Sequence, residues 1–282
     1  MGIFDGCLLA SDIDGTLLDN GYLNPRCVEK IKFFVSEGGH FSLSTGRSVG
    51  AVSAVVNAID CLSPSVVANG AMIYDYKEKK ILKEYTLLEE DKSVVKLVCD
   101  TGKDIGVEIH SGERALVVKR NCETDDHEKY ENLEVEFISL EEASQFAWTK
   151  ILFAVTDLSD LEPTIEMLKG ACKNSDVINT VAQIENRQRY YIEVIPKNIS
   201  KAKSIKTLCE MLNIKDGCCF AIGDYYNDVP MLKSADVCAV PINSPNDIKE
   251  LADVIVSTAK DGAVADFIDY LTGRKTENGC DK

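Results

Sequence analysis

A chain of 282 residues is longer than one modest core needs, so two domains or one large one are expected. Hydrophobic residues make up 45% and charged residues 27%, which fits a globular protein and excludes a disordered one. The net charge of -15 argues against nucleic acid or an anionic membrane as partner, since those contacts rest on basic patches.

The first element is the apolar run Cys7–Ala10, a short buried strand that empties into the loop Asp12–Gly15. Asp12 and Asp14 share one parity on an extended chain, so both carboxylates can reach the same side. Asn24-Pro25 then reads as an N-cap with proline at the first helical position. Val28, Ile31, Phe34 and Val35 carry that helix to Gly38-Gly39. His40–Ser44 is the next strand, followed by the loop "STGRS" and a helix marked by Val49, Val52, Val55, Val56 and Ile59. Ser65–Ala68 is a further strand ending in Asn69-Gly70. This strand–loop–helix rhythm predicts a parallel sheet with helices on both faces.

The rhythm breaks at Met72. Met72–Tyr76 and Ile81–Tyr85 read as a hairpin across "KEKK". Helices at Lys92–Cys99 and Leu161–Ala171 then mix with strands at Arg114–Lys119, Lys150–Val155 and Tyr190–Ile195. That mixture predicts an α+β domain over residues 84–196, inserted into a discontinuous core of residues 1–83 and 197–282. The rhythm returns at Ser200, which caps a helix bearing Ala202, Ile205, Leu208 and Leu212. Cys218–Ile222 is a buried strand with Gly223–Asp228 as its loop. Strands at Val237–Val240 and Val254–Val256 alternate with helices at Asn246–Ala252 and Ala263–Leu271, and a polar tail from Arg274 is expected to fray.

Eleven cysteines form no CxxC; Cys7, Cys99, Cys209 and Cys238 lie in apolar segments, and Cys218–Cys219 are adjacent in another. They read as reduced thiols of a cytoplasmic protein. With no apolar run of about 18 residues and no basic, apolar leader, no membrane anchor is expected.

The chemistry concentrates in the loops after the strands, where open α/β sheets bind ligands. The first offers Asp12 and Asp14. The second offers Ser44, Thr45 and Arg47 around Gly46, with hydroxyls and backbone N–H groups suited to a phosphate. Lys201 adds a point charge near a helix start, and "GDYYND" adds Asp224, Asn227 and Asp228. Four aspartates against Lys201 and Arg47 leave no room for a phosphate dianion without a divalent cation. Oxygen-only ligands favour Mg²⁺, and none of His40, His110 and His127 lies in these loops.

"DIDGTLL", "STGR", "ANGA", Ser200-Lys201, "GDYYND" and "DGAV" follow one another in an order that resembles the Cof-type phosphatases of the haloacid dehalogenase superfamily, with the type IIB cap. The resemblance covers nearly the whole chain. It implies a Rossmann-like, doubly wound parallel-sheet core and an α+β cap that selects substrate. It further implies Asp12 as nucleophile, forming an aspartyl phosphate, and Asp14 as acid and then base. Asp12, the Asp14 carbonyl and Asp224 would hold Mg²⁺, with Asp228 supporting them. Thr45, Lys201 and Asn227 would bind the phosphoryl group, with backbone N–H groups near Ile13 and Gly46. The implied substrate is a small phosphorylated metabolite such as a sugar phosphate, and a monomer is the expected state. The chain departs from the family pattern at Ala202, where glycine is common, and over "AVPINSP", Ala239–Pro245, where Asn243 is the remaining candidate contact.

A phosphomutase or phosphotransferase would use the same intermediate, and a non-enzymatic receiver-like regulator would also carry an acidic cluster and a lysine. Residues of the insertion that could meet a substrate are Glu108, His110, Lys119 and Arg187. Arg47 is expected either to meet the phosphate or to pair with a core carboxylate, Asn69 to shape its turn, Trp148 to be core, and Tyr225 and Tyr226 to line the pocket mouth or pack.

Overall fold

The computed structural model describes residues 2–184 and 187–279. It divides into two compact units: residues up to Gly46, Ser53–Leu82 and from Ser200 onward, and an inserted unit of Arg47–Val52 and Lys83–Ile199.

The first unit is built on a five-stranded sheet, every pairing parallel, in the order Val254–Val256, Val237–Pro241, Cys219–Ile222, Leu8–Ser11, His40–Leu43. All four residues of the Leu8–Ser11 strand are buried, as a central parallel strand covered on both faces must be. On one face Leu8, Ala10, Ala221, Cys238 and Val240 pack against Ile205 and Leu208 of helix Lys201–Leu212 and Met231 and Leu232 of helix Val229–Ser234. Helices Pro25–Ser36 and Ala263–Gly279 pack together and are tied by Arg26, which donates to Asp266 at 2.6 Å and to Asp269 at 2.6 Å. Asn24 caps the first of these through the Arg26 N–H, with Pro25 at the first helical position. The Ala263–Gly279 helix runs past the expected fraying point at Arg274. Lys275 explains this, its ammonium lying 3.4 Å from the Cys218 sulfur and 5.8 Å from the centre of the Phe220 ring. The end of that expected tail, residues 280–282, lies outside the described residues.

Ser65–Val67 does not extend the main sheet as a full strand. It touches it through one parallel bridge, Ser44 to Val66, and otherwise heads a three-stranded sheet with Met72–Asp75 and Lys80–Glu84. Among the described residues no helix is long and apolar enough to cross a membrane.

The inserted unit is a six-stranded sheet ordered Val135–Phe137, Arg114–Lys119, Ile105–Ser111, Lys150–Val155, Arg187–Pro196, Ser175–Ile184, antiparallel except for its first pair. Side chains alternate between its faces. Ile105, Val107, Ile109, Ile151, Phe153, Val155, Ile192 and Val194 form one apolar face, which packs with Trp148 and with Val95, Val98, Ile165 and Leu168 from helices. The other parity carries Glu108, His110, Lys150, Tyr191 and Glu193, all buried. The single helix expected at Lys92–Cys99 is two short ones, Glu89–Lys92 and Val94–Cys99, meeting at Ser93.

Candidate active site

Three strand ends of the first unit, side by side in the sheet, present the acidic residues and their partners. Leu8–Ser11 leads into Asp12 and Cys219–Ile222 into Asp224, in register through Ser11 and Ile222. Asp12 is held by its own N–H, which donates to the Ile222 carbonyl at 3.0 Å. On the other side Ser11 pairs with Leu43, which brings the Ser44–Gly46 loop alongside.

The turn after Asp12 is wound around the Ile13 carbonyl, which accepts from the N–H groups of Leu17 at 2.9 Å and Leu18 at 2.8 Å. Ile13 itself is a core side chain. Asp14 is half-buried on this turn. Gly15 has φ +82°, and a Cβ there would stand 2.4 Å from Asp224 Oδ2. Only glycine lets the turn close against that carboxylate. Thr16, wholly buried, donates its hydroxyl to Asp224 Oδ1 at 3.0 Å. The sequence reading gave Thr16 no role. The only available signal was a hydroxyl two residues beyond Asp14, and its partner lies 208 residues away.

Lys201 is not a surface residue. It is 1% exposed at the start of helix Lys201–Leu212, capped by the Ser200 side chain. Its ammonium donates to Asp12 Oδ1 and to Asp228 Oδ1, each at 2.6 Å. Asp228 uses its second oxygen to accept the N–H groups of Asp224 at 3.1 Å and Tyr225 at 3.3 Å, which folds the "GDYYND" loop onto itself. Asp228 therefore positions both the lysine and the Asp224 backbone. Asn227, in the same loop, is exposed, as are Tyr225 and Tyr226, whose rings meet edge to face.

Thr45 and Gly46 also belong here. Thr45 is 1% exposed, with its N–H on the Val66 carbonyl at 3.0 Å, and its own carbonyl accepts from the Asn69 N–H at 3.0 Å. Asn69 takes the left-handed conformation its turn requires, φ 54°, and its amide lies where a Cβ on Gly46 would meet it at 3.1 Å. Arg47 goes elsewhere. It clusters with the inserted unit, where its guanidinium donates to the Ala51 carbonyl at 3.2 Å and lies 5.4 Å from the centre of the Tyr130 ring. These are contacts of a packed residue, and the Arg47 charge also helps to lower Glu131. Beside Gly15 a cavity of about 260 Å³ is lined by Asp19, Asn243, Thr258, Ala259 and Lys260.

Electrostatics make the cluster distinctive. Carboxylate oxygens of Asp12, Asp224 and Asp228 lie within 4.8 Å of one another, with Lys201 the cation bonded to two of them. Burial, then the Asp228 carboxylate, pushes Asp224 up to about 7. Burial and the Asp228 and Asp224 charges hold Asp12 well above the usual carboxylate range, against the pull of Lys201. Lys201 is held above its ordinary value, because Asp12 and Asp228 outweigh the cost of burying it. Carboxylates raised in this way mark a site short of positive charge. Their all-oxygen donor set fits a hard divalent cation such as Mg²⁺.

The haloacid dehalogenase-like hydrolase family model matches residues 9–268. The chain is 27% identical over 264 residues to 5-amino-6-(5-phospho-D-ribitylamino)uracil phosphatase YcsE of Bacillus subtilis, covering 93% of this chain and 94% of that one. It is 22% identical over 266 residues to a phosphoglycolate phosphatase of Methanopyrus kandleri, covering 94% and 96%. Its fold matches that of the HAD subclass IIB sugar phosphatase BT4131 with a TM-score of 0.80 at 16% identity, over 94% of this chain and 99% of that one. The chain belongs to the haloacid dehalogenase-like hydrolases.

Proposed function

We propose that the chain is a Mg²⁺-dependent phosphomonoesterase of small phosphorylated metabolites, sugar phosphates foremost, working through an aspartyl phosphate on Asp12. The observation that carries this reading is the buried pairing of Lys201 with both Asp12 and Asp228, beside a third carboxylate raised to about 7. Asp12, the Asp14 carbonyl and Asp224 would hold the cation, with Asp228 behind them. Bound there, the cation offsets the carboxylate charge, so that a phosphate dianion can enter.

Asp12 attacks phosphorus while Lys201 steadies the unused Asp12 oxygen and the developing charge on the phosphoryl group. Asp14 gives its proton to the departing alcohol oxygen, then takes one from the water that cleaves the intermediate. Thr45, Asn227 and the backbone N–H groups near Ile13 and Gly46 orient the phosphoryl oxygens. The inserted unit is the substrate-selecting cap in this reading. The names of the relatives support the substrate class: each acts on a small phosphorylated compound.

Free phosphate released from a panel of sugar phosphates, phosphoglycolate and nucleotide-derived phosphates tests the proposal. Release that stops with EDTA, returns with Mg²⁺ and is absent in Asp12→Asn is the expected result. Transfer to a second sugar without free phosphate would place the chain among the mutases. Release surviving in Asp12→Asn would overturn the mechanism.

A further inference from the structure

Four cysteines of the first unit meet in two pairs, one of them where helix Lys201–Leu212 packs on the sheet. Cys209, on that helix, faces Cys219, the first residue of strand Cys219–Ile222, with the two sulfurs 3.6 Å apart. Cys218, next in sequence, turns to the other side, toward Cys7 and Lys275. We propose that Cys209 and Cys219 are a reversible oxidation site, closing to a disulfide under peroxide and fastening the helix to the strand.

Three features of the pair support this. A disulfide needs the sulfurs, now 3.6 Å apart, to close to about 2 Å, a movement within reach of side-chain rotation. Both residues are only partly buried, so a small oxidant can reach them, whereas Cys7 is 1% exposed. The two thiols are also unequal. The Cys219 thiol beside it holds the Cys209 thiol below the ordinary cysteine range, whereas the same contact, with burial, pushes Cys219 up. Cys209 is thus the better nucleophile toward peroxide and Cys219 the resolving partner. Cys7 lacks this advantage: burial first, and then the Cys218 thiol, push it up to about 11.

The chemistry balances with hydrogen peroxide as oxidant. The Cys209 sulfur attacks one peroxide oxygen, the O–O bond breaks, and the products are a sulfenic acid and one water. The Cys219 sulfur then attacks the Cys209 sulfur, the S–O bond breaks, and a second water leaves. Two thiols have lost two protons and two electrons, and the peroxide has taken both. The bridge joins a helix that opens with Lys201 to a strand that leads into Asp224. Oxidation would therefore hold two elements of the acidic site as one block.

The test uses the whole chain, reduced, exposed to hydrogen peroxide, and alkylated before tryptic digestion under non-reducing conditions. Lys215 lies between the two cysteines, so trypsin separates them. The expected product is peptide 207–215 joined to peptide 216–233, two hydrogens lighter than their sum once any alkyl group on Cys218 is counted, and split by dithiothreitol. The joined peptide should persist in Cys218→Ser and vanish in both Cys219→Ser and Cys209→Ala. Closing a loop this short should raise the thermal midpoint by roughly 5 °C, reversibly, in the parent and in Cys218→Ser alone. Three results would overturn the proposal: no joined peptide, a bridge lost in Cys218→Ser but kept in Cys219→Ser, or an unmoved midpoint in the oxidised protein.

Discussion

Each unit buries a group of charged side chains, and the two groups behave in opposite ways. In the inserted unit, His127 holds Glu108 at 3.0 Å through one ring nitrogen and faces Glu131 at 3.5 Å through the other. Lys150 pairs with Glu193 at 3.1 Å on the same sheet face. In the first unit, one lysine stands among three carboxylates and is bonded to two of them. The carboxyl groups of the two clusters shift in opposite directions. Burial opposes charge on Glu131, but His127 wins and draws it down to about 2; Glu108 falls too, for the same reason. Burial likewise opposes charge on His127, yet Glu108 and Glu131 lift it to about 10. Asp12 and Asp224 move upward instead. A buried cluster whose charges are nearly matched is architecture, whereas one with a single cation among three carboxylates awaits a ligand.

The sharpest way to break this contrast is to neutralise one carboxylate in each group. Asp12→Asn should cost at least about 10⁴-fold in phosphate release, as loss of a nucleophile does, yet leave the thermal midpoint unchanged or raised, because it relieves crowding. Glu108→Gln should do the reverse to the fold. It leaves His127 short of its counter-charge, at a cost of about 3 kcal/mol in denaturant unfolding. A midpoint that falls in Asp12→Asn and holds in Glu108→Gln would undo the comparison.

Lys201→Met should weaken release by about 10²- to 10³-fold, the scale of removing one charge-stabilising donor from an active site. Circular dichroism of the folded protein checks that the loss is not one of structure.

The pH dependence of stability follows from His127 and Glu131. The folded pKa of His127 is raised, so its contribution is complete below the unfolded value of about 6.5 and is lost as pH climbs through about 10. Glu131 is depressed, so its contribution is complete above about 4.3 and is lost as pH falls toward about 2. Between those limits lies a plateau, roughly pH 4.5 to 6.5, in the stability these groups supply. His127→Gln should flatten the alkaline side in unfolding curves taken from pH 5 to 10. An alkaline limb as steep as the parent's would assign it to other groups.

The smallest effect concerns Thr16. Thr16→Val removes the hydroxyl that orients Asp224, and the Mg²⁺ concentration for half-maximal release should rise about 10-fold with little change at saturation. A loss that saturating Mg²⁺ cannot restore would mean that Thr16 acts on something besides Asp224.

Much of the site was legible in the chain because it is written locally. Asp12 sits at the end of an apolar run, and Asp224 and Asp228 share one short loop, so hydrophobic pattern and turn residues suffice to find them. The Ser200 cap before Lys201 is a local signal too. Thr16 was not found because its partner is on another strand. The strand Ile105–Ser111 was missed as well. It alternates apolar Ile105, Val107 and Ile109 with Gly106, Glu108 and His110, and its polar side is buried rather than solvated. Period-two alternation reports parity and says nothing of what covers the polar face. Glu108 and His110, two of the insertion residues that could meet a substrate, lie in that buried layer.

The parallel core with its inserted α+β segment, the order of the loops, and the candidate acidic residues and lysine can be read from the chain alone. These follow from periodicity and punctuation within a dozen residues of chain. The folding of the chain in space settled which charges meet. It seated Lys201 between Asp12 and Asp228, His127 between Glu108 and Glu131, and Cys209 against Cys219. Electrostatic and covalent partnership depends on distance through space in a low-dielectric interior, and separation along the chain does not encode it.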